Sequence, residues 1–147
     1  MAGAVALAGP LQLPEGVPER MIGSLRHRGP DEFGAWRDDR AFLGHARLSI
    51  IDLSEAGKQP MHSHDGRYVI AFNGEIYNFR ELRNELERLG HRFETHSDTE
   101  IIVHAYEEYG DSFLERLEGM FGLALWDSRE RKLIVARDRL GIKPVYY

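Results

Sequence analysis

The residues of this sequence that could do chemistry do not form a common nucleophile or metal motif. The chain has no cysteine, which excludes disulfides, thiolate metal sites and a thiol nucleophile within it. Its seven histidines contain no His-Glu-x-x-His pattern, and only His62 and His64 lie close together, so no metal site is expected. Two other candidates remain. One is Asn73-Gly74, where glycine permits a turn or a close approach of the backbone to a ligand, and the other is Asp98.

Both candidates lie where predicted elements begin or end. Tyr68–Phe72 is rich in β-forming residues and is predicted to be a strand that stops at Asn73-Gly74. Ser97 and Glu100 fit a capping box, which places Asp98 in the first turn of the next helix. A carboxylate in that position can point outward to a ligand or can simply stabilise the helix dipole.

The remaining pattern predicts strands and helices in separate runs. Small apolar residues at 2–9 predict a strand that starts at the terminus and leaves room for a molecule beside it. Asn78 and Glu81 fit a second capping box, for a helix that ends at Gly90. Also predicted are a helix from Pro18 through Leu25, a hairpin of 33–37 and 41–48, and strands at 120–126, 132–136 and 145–147. Two successive helices between groups of strands favour an α+β sandwich over alternating βαβ units.

Composition excludes several kinds of partner. The chain has 147 residues, 42% of them hydrophobic, enough for the core of one domain. Its 19 basic and 24 acidic residues are interleaved and give a net charge of -5, so neither nucleic acid nor an anionic membrane is expected to bind. No apolar run reaches the roughly 20 residues of a membrane-spanning helix. The start also lacks the basic segment of a signal peptide, so a cytoplasmic protein is expected.

Six stretches of the sequence carry a resemblance to a known family. They are Arg26-His-Arg-Gly-Pro-Asp31, Arg47-Leu-Ser-Ile-Ile-Asp52, Gln59-Pro60, Phe72-Asn-Gly-Glu-Ile-Tyr-Asn78, Ser97-Asp-Thr-Glu100 and Arg137-Asp-Arg-Leu-Gly-Ile-Lys-Pro144. In this order and spacing they resemble the N-terminal class II glutamine amidotransferase domain of the asparagine synthetase family, over nearly the whole chain. The second and fourth stretches fit that branch better than the glucosamine-phosphate synthase or phosphoribosyl-transferase amidotransferases.

The resemblance implies an N-terminal-nucleophile hydrolase fold, an αββα sandwich. In that family a terminal cysteine attacks the side-chain amide of L-glutamine, and its own α-amino group serves as the base. The resemblance also implies a glutamine pocket. Arg47 would bind the α-carboxylate through two parallel hydrogen bonds, Asn73 and Gly74 would form the oxyanion hole, and Asp98 would hold the α-ammonium. The other implied pocket residues are Leu48, Ser49, Ile50, Ile51 and Glu75.

The sequence departs from the family at the nucleophile. The family motif begins Met-Cys-Gly, whereas this chain begins Met1-Ala2-Gly3. Ala2 has a methyl group where sulfur is needed, and no serine or threonine precedes Ser24, so the chain is predicted not to form the glutamyl thioester. Two interpretations stay open. The alanine replaces cysteine by engineering, or this is a natural pseudo-glutaminase or scaffold like those attached to β-lactam or lasso-peptide-cyclising synthetases.

The resemblance also implies a partner domain, an ATP-dependent synthetase that receives the ammonia. No Ser-Gly-Gly-x-Asp-Ser loop occurs here, so ATP and Mg are expected only in that other domain, and no cofactor is expected in this one. Relatives continue with further strands after Lys143-Pro144. Residues 1–147 are therefore expected to be an incomplete amidotransferase domain with an exposed sheet edge. Such an edge predicts self-association, which would make a homo-oligomer.

Overall fold

The computed structural model describes residues 3–9, 14, 16–29, 32–47 and 58–147, apart from the side chain of Arg47. The strands in this part of the chain are β1 (Gly3–Ala8), β2 (Glu32–Arg37), β3 (Ala41–Arg47), β4 (Met61–His62), β5 (Tyr68–Ile76), β6 (Gly119–Asp127) and β7 (Lys132–Arg137). The helices are α1 (Val17–Ser24), α2 (Phe79–Arg88), α3 (Asp98–Tyr109) and α4 (Phe113–Arg116), with a 3-10 turn at Gly110–Ser112. None of these described helices has the length and apolar character needed to cross a membrane.

The strands form two antiparallel sheets that lie against each other. Sheet A has the order β1-β3-β2, and sheet B has the order β4-β5-β6-β7. Strands β1 and β3 contact β5, and α3 packs on the opposite face of β5. Helix α1 covers the outer face of sheet A, where a Cβ atom built on Gly44 would lie 2.6 Å from Ile22 Cγ1. The layers therefore follow the predicted αββα order.

Alternation along β5 divides the core in two, because successive side chains of a strand point to opposite faces. Val69 and Ala71 face sheet A and pack with the buried Trp126 of β6. Ile70 and Phe72 face the helices and pack with Leu86 and other apolar residues of α2 and α3. Small side chains are frequent between the two sheets, and the larger aliphatic and aromatic side chains lie under the helices.

Two predicted strand limits are wrong. β5 does not stop at Asn73-Gly74 but continues to Ile76, and both residues pair with β6, Asn73 with Gly122 and Gly74 with Phe121. The predicted strand at 145–147 is also absent, because the chain leaves sheet B after β7 and residues 138–147 contain no strand. Within the described residues, β7 is an edge strand of sheet B.

The two predicted capping boxes are wrong in their side-chain bonds, although both helices begin where expected. Asn78 makes no cap at α2. Its amide donates to the carbonyl of Arg116 and accepts from the N–H of Glu118, so it ties α2 to the segment before β6. Ser97 does cap α3, accepting from the N–H of Thr99. Glu100, however, accepts from the preceding loop at Glu94 and Thr95 rather than from Ser97.

Candidate functional site

The candidate site lies along the side of β5 that no strand of the described residues covers beyond the end of the short strand β4, and this side is called the free side of β5. In an antiparallel ladder, alternate residues direct their N–H and C=O groups to opposite neighbours. The ladder continues past β5, where the Tyr77 N–H donates to the Glu118 carbonyl. The backbone N–H and C=O groups of residues 73 and 75 therefore point towards β6. The backbone groups of Phe72, Gly74 and Ile76 point the other way, towards the side that β4 covers only at Val69 and Ile70.

Side chains take the place of a neighbouring strand at Phe72. Its N–H donates to Gln59 Oε1 over 2.6 Å, and its carbonyl accepts from His45 Nε2 over 3.0 Å. The Gln59 amide also donates to Thr99 Oγ1 over 3.3 Å, so this one side chain connects β5 to the first turn of α3. Because His45 belongs to β3, the bonds at Phe72 hold both sheets and α3 together next to Asn73.

Asp98 is brought to the same side of β5. It is the first residue of α3, and its Oδ2 accepts from the N–H of Ile76 over 3.1 Å. Burial raises the pKa of Asp98, and the nearby charge of Glu75 raises it further, although backbone donors, first among them Ile76, oppose both effects. The environment therefore disfavours the ionised carboxylate of Asp98, and a cation bound there would favour it again.

Gly74 lies between these two bonds. By the alternation described above, its N–H points to the same side as those of Phe72 and Ile76. No side chain among the described residues accepts from it. A Cβ atom on Gly74 would collide with the carbonyl oxygen of Met120 and lie 2.7 Å from Phe121 Cβ. The glycine is thus needed for the close approach of β5 to β6, whatever else it does.

The register of sheet A brings the start of β1 to this region. Ala4 pairs with His45, which bonds to Phe72, and Gly3 pairs with Ala46, the neighbour of Arg47. Arg47 is the last residue of β3, and its side chain is not described. The other predicted residues Ala2, Leu48, Ser49, Ile50 and Ile51 lie outside the described residues. Of the predicted pocket, the structure thus brings together the consecutive residues Asn73, Gly74 and Glu75 with Asp98, and the backbone of Arg47 lies two positions along β3 from His45.

The back of the site is held by Asp138, which sequence reasoning did not single out. This buried carboxylate accepts from the N–H groups of Phe121, Ile142 and Lys143 over 2.9 to 3.2 Å. Burial alone raises the pKa of Asp138, but these backbone donors outweigh burial and hold the pKa below its ordinary value. The bonds fold residues 138–145 back over Gly122, the partner of Asn73, with Val145 Cγ2 at 3.4 Å from a Cβ built there.

His45 and Gln59 are further residues that the sequence analysis did not assign. Gln59 stands in one of the six stretches. Its carbonyl oxygen lies so close to Gly34 of β2 that a Cβ atom on Gly34 would overlap it. His45 lies two positions before Arg47, and it is buried on β3. The signals that the sequence contained were the stretch Gln59-Pro60 and a histidine two positions before the stretch that begins at Arg47.

The family model described as a glutamine amidotransferase domain matches residues 1–147 of this chain. The chain therefore belongs to the glutamine amidotransferase domain family. Among its relatives are a glutamine-hydrolysing asparagine synthetase, number 3, of Bacillus subtilis and one of Zea mays. The first is 44% identical over 131 aligned residues, and the match covers 88% of this chain and 21% of the relative. The second is 43% identical over 149 aligned positions, and the match covers 99% of this chain and 25% of the relative. The predicted resemblance to asparagine synthetases is confirmed.

Solved structures confirm the fold class. The glutamine phosphoribosylpyrophosphate amidotransferase of B. subtilis, solved with ADP and GMP, superimposes with a TM-score of 0.76 over 98% of this chain and 38% of that one, at 22% identity. At this identity the likeness concerns the fold, the N-terminal-nucleophile αββα sandwich. The chain spans about a fifth to a quarter of the length of the asparagine synthetases it matches.

Proposed function

We propose that this chain is the glutamine-binding domain of an asparagine-synthetase-type amidotransferase and that it binds free L-glutamine beside β5. The observation that carries the proposal is the bond of Asp98 to Ile76, which sets a carboxylate of raised pKa two residues beyond Gly74. The α-ammonium of glutamine is the cation that such a carboxylate would hold. The family match over the whole chain supports the choice of ligand.

The other end of glutamine is assigned to Arg47. A guanidinium meets a carboxylate with two parallel, charge-assisted hydrogen bonds. Arg47 ends β3, and its neighbour Ala46 pairs with Gly3, so its backbone lies beside the start of β1. Residues 48–51 would add backbone contacts. Arg47 and Asp98 together would recognise the two charges that only a free amino acid carries.

Asn73 and Gly74 are assigned to the amide oxygen of the glutamine side chain. The Gly74 N–H points to the free side of β5, between the bonds of Gln59 and Asp98, where a ligand oxygen can reach it. Donors of this kind stabilise mainly the negative charge that develops on the oxygen in the tetrahedral intermediate. Glu75, which is exposed, would line the pocket rather than bind the amide.

Ala2 makes the chain, as written, a binding domain without glutaminase activity, because it has no nucleophile. With cysteine at this position, the domain would release ammonia from glutamine. A separate ATP-dependent synthetase domain, with its own ATP and Mg, would use the ammonia. The alternative is a natural non-catalytic domain that either binds glutamine or only supports an attached synthetase, so the absence of binding would favour the scaffold.

Calorimetric titration of L-glutamine into the chain tests the proposal. Binding is expected, since none of the assigned contacts uses the missing thiol. Arg47→Ala is expected to weaken it by roughly 2 to 4 kcal/mol, or on the order of 30- to 1000-fold, because a bidentate charged pair is lost. Asn73→Ala is expected to cost less, because its donor acts mainly on the transition state.

Arg37→Ala is a suitable control, because Arg37 is an exposed arginine at the far end of the neighbouring strand β2. It is expected to bind glutamine like the parent chain. A folded chain that does not bind glutamine, or an Arg47→Ala variant with unchanged affinity, would contradict the pocket assignment and favour a scaffold.

A further inference from the structure

Three side chains away from the glutamine site converge between α2 and α3. His91 follows the end of α2, and His104 and Glu107 lie on the same side of α3, three residues apart. Their ligand atoms, His91 Nδ1, His104 Nδ1 and Glu107 Oε2, lie within 4.8 Å of one another. Within the described residues, this is the one group of three or more histidine, aspartate or glutamate side chains with that geometry.

Two of the three distances in this group suit a metal coordination shell, and the third is a hydrogen bond that a bound ion would replace and lengthen. His91 Nδ1 and His104 Nδ1 are 3.2 Å apart, His104 Nδ1 and Glu107 Oε2 are 2.7 Å apart, and His91 Nδ1 and Glu107 Oε2 are 3.6 Å apart. Tetrahedral Zn²⁺ with bonds of about 2.0–2.1 Å separates adjacent ligand atoms by roughly 3.3 Å. Two histidines and one carboxylate, with solvent as the fourth ligand, are a common set for this ion.

A second shell of carboxylates is also present. The outer nitrogen of His91, Nε2, lies 3.0 Å from Glu108 Oε2, and the outer nitrogen of His104 lies 3.7 Å from Glu100 Oε1. Carboxylates behind zinc-bound histidines fix the ring orientation and make the facing nitrogen a better ligand. Glu108 therefore lies at hydrogen-bond distance behind His91, and Glu100 lies near His104 at the distance of an ion pair.

The charge and exposure of the group also suit a cation. Three carboxylates surround two imidazoles. The side chains of His91, His104 and Glu107 are 16%, 10% and 25% exposed. They are shielded from bulk water but can be reached from it.

We propose that His91, His104 and Glu107 bind one Zn²⁺-like divalent cation, with Glu108 and Glu100 as second-shell partners. The ion is structural: it joins the end of α2 to the middle of α3, the helix whose first residue is Asp98. This departs from the expectation of no metal site, which considered only short-range histidine patterns. His91 and His104 are thirteen positions apart in the sequence, and only the packing of α2 on α3 brings them together.

Titration of tag-free, metal-free chain with Zn²⁺, followed by calorimetry, tests the site. One ion per folded chain is expected to bind, and Co²⁺ at the same site is expected to show the intense visible absorption of four-coordinate cobalt. His91→Gln is expected to weaken binding by more than tenfold. Glu108→Gln keeps all three ligands and removes only a second-shell carboxylate, and a loss of roughly 10- to 100-fold is expected.

His64→Gln is the matched control, because His64 also faces a carboxylate, Glu94, at 2.8 Å but belongs to no such group. It is expected to bind Zn²⁺ like the parent chain, and circular dichroism checks that every variant is folded. Zn²⁺ is also expected to raise the melting temperature of the parent and not of His91→Gln. The proposal is overturned if the folded parent does not bind Zn²⁺, or if His91→Gln and Glu108→Gln bind it as well as His64→Gln does.

Discussion

Asp98 shows how one residue can be both a helix residue and a candidate ligand. As the first residue of α3, Asp98 interacts favourably with the helix dipole, and its Oδ2 accepts a hydrogen bond from the Ile76 N–H. Its pKa is nevertheless raised, so burial and the charge of Glu75 outweigh those favourable contacts. A carboxylate whose pKa is raised in this way is frequently found at a functional site, because a bound cation stabilises its ionised form.

The raised pKa of Asp98 predicts the pH dependence of glutamine binding. In the proposed pocket the ionised carboxylate would bind the α-ammonium, which stays protonated throughout the acidic range. Affinity is therefore expected to be full above the pKa of Asp98 and to fall as the pH decreases through it, beginning at a higher pH than for an ordinary aspartate. Calorimetry at a series of pH values measures this. Asp98→Asn is expected to bind weakly at every pH, and an unchanged pH profile in that variant would exclude Asp98 as the titrating group.

Asp138 illustrates what sequence patterns cannot supply at the residue scale. The stretch from Arg137 to Pro144 contributes to the family resemblance. The physical role of Asp138 within it is to accept from three backbone N–H groups, those of Phe121, Ile142 and Lys143. Gln59 and His45 are similar cases, since their partner Phe72 is 13 and 27 positions away. Bonds over such separations depend on tertiary packing, which local periodicity does not encode.

At the scale of elements, most of the strands and helices were predictable, but the end of β5 and the course of the chain after β7 were not. The hairpin of β2 and β3, the helices α2 and α3, and the strands β6 and β7 follow from periodicity and from turn residues. The prediction failed at Asn73-Gly74, where a typical turn pair lies inside a strand. The reason is steric: Gly74 is needed because β6 lies too close for a side chain.

This close approach makes Gly74→Ala a test of the β5 and β6 pairing. The added methyl group would collide with Met120 and Phe121, so the strands must separate. A loss of roughly 1–3 kcal/mol in the free energy of unfolding is expected, as for overpacked cores. Urea unfolding measures it, with Gly23→Ala in α1 as the control, because a Cβ there meets no atom within 4 Å. Equal stability of Gly74→Ala and the parent would contradict the described pairing.

At the scale of the molecule, the stacking of the two sheets places β1 beside β5. β1 lies in sheet A, and His45, the partner of Ala4, bonds to Phe72 of sheet B, so Ala4 lies close to the residue that precedes Asn73. The fold class could be predicted from the family stretches together with the separation of strands and helices. The stacking of β1 on β5 could not be predicted, because the apolar residues between the sheets are equally consistent with other strand orders.

Ala2→Cys is expected to restore glutamine hydrolysis once Met1 is removed, because it supplies a thiol and its α-amine together. Ammonia release from glutamine, compared with the parent chain, measures this gain. In the Ala2→Cys background, Asn73→Ala is expected to lower kcat by roughly 10²–10³, as the loss of an oxyanion donor does. A folded Ala2→Cys chain that binds glutamine but releases no ammonia would count against the assignment of position 2.

The bonds along the free side of β5 also determine which molecules can dock there. An extended peptide that adds to a sheet needs consecutive outward N–H groups, about 6.6 Å apart, as a ladder of donors. On β5 the first and third of these groups, at Phe72 and Ile76, already donate to Gln59 and Asp98. Within the described residues, the Gly74 N–H between them has no side-chain acceptor, so strand addition is blocked at both neighbouring positions. This part of β5 therefore offers one main-chain donor to a ligand atom rather than a ladder of donors to a peptide backbone.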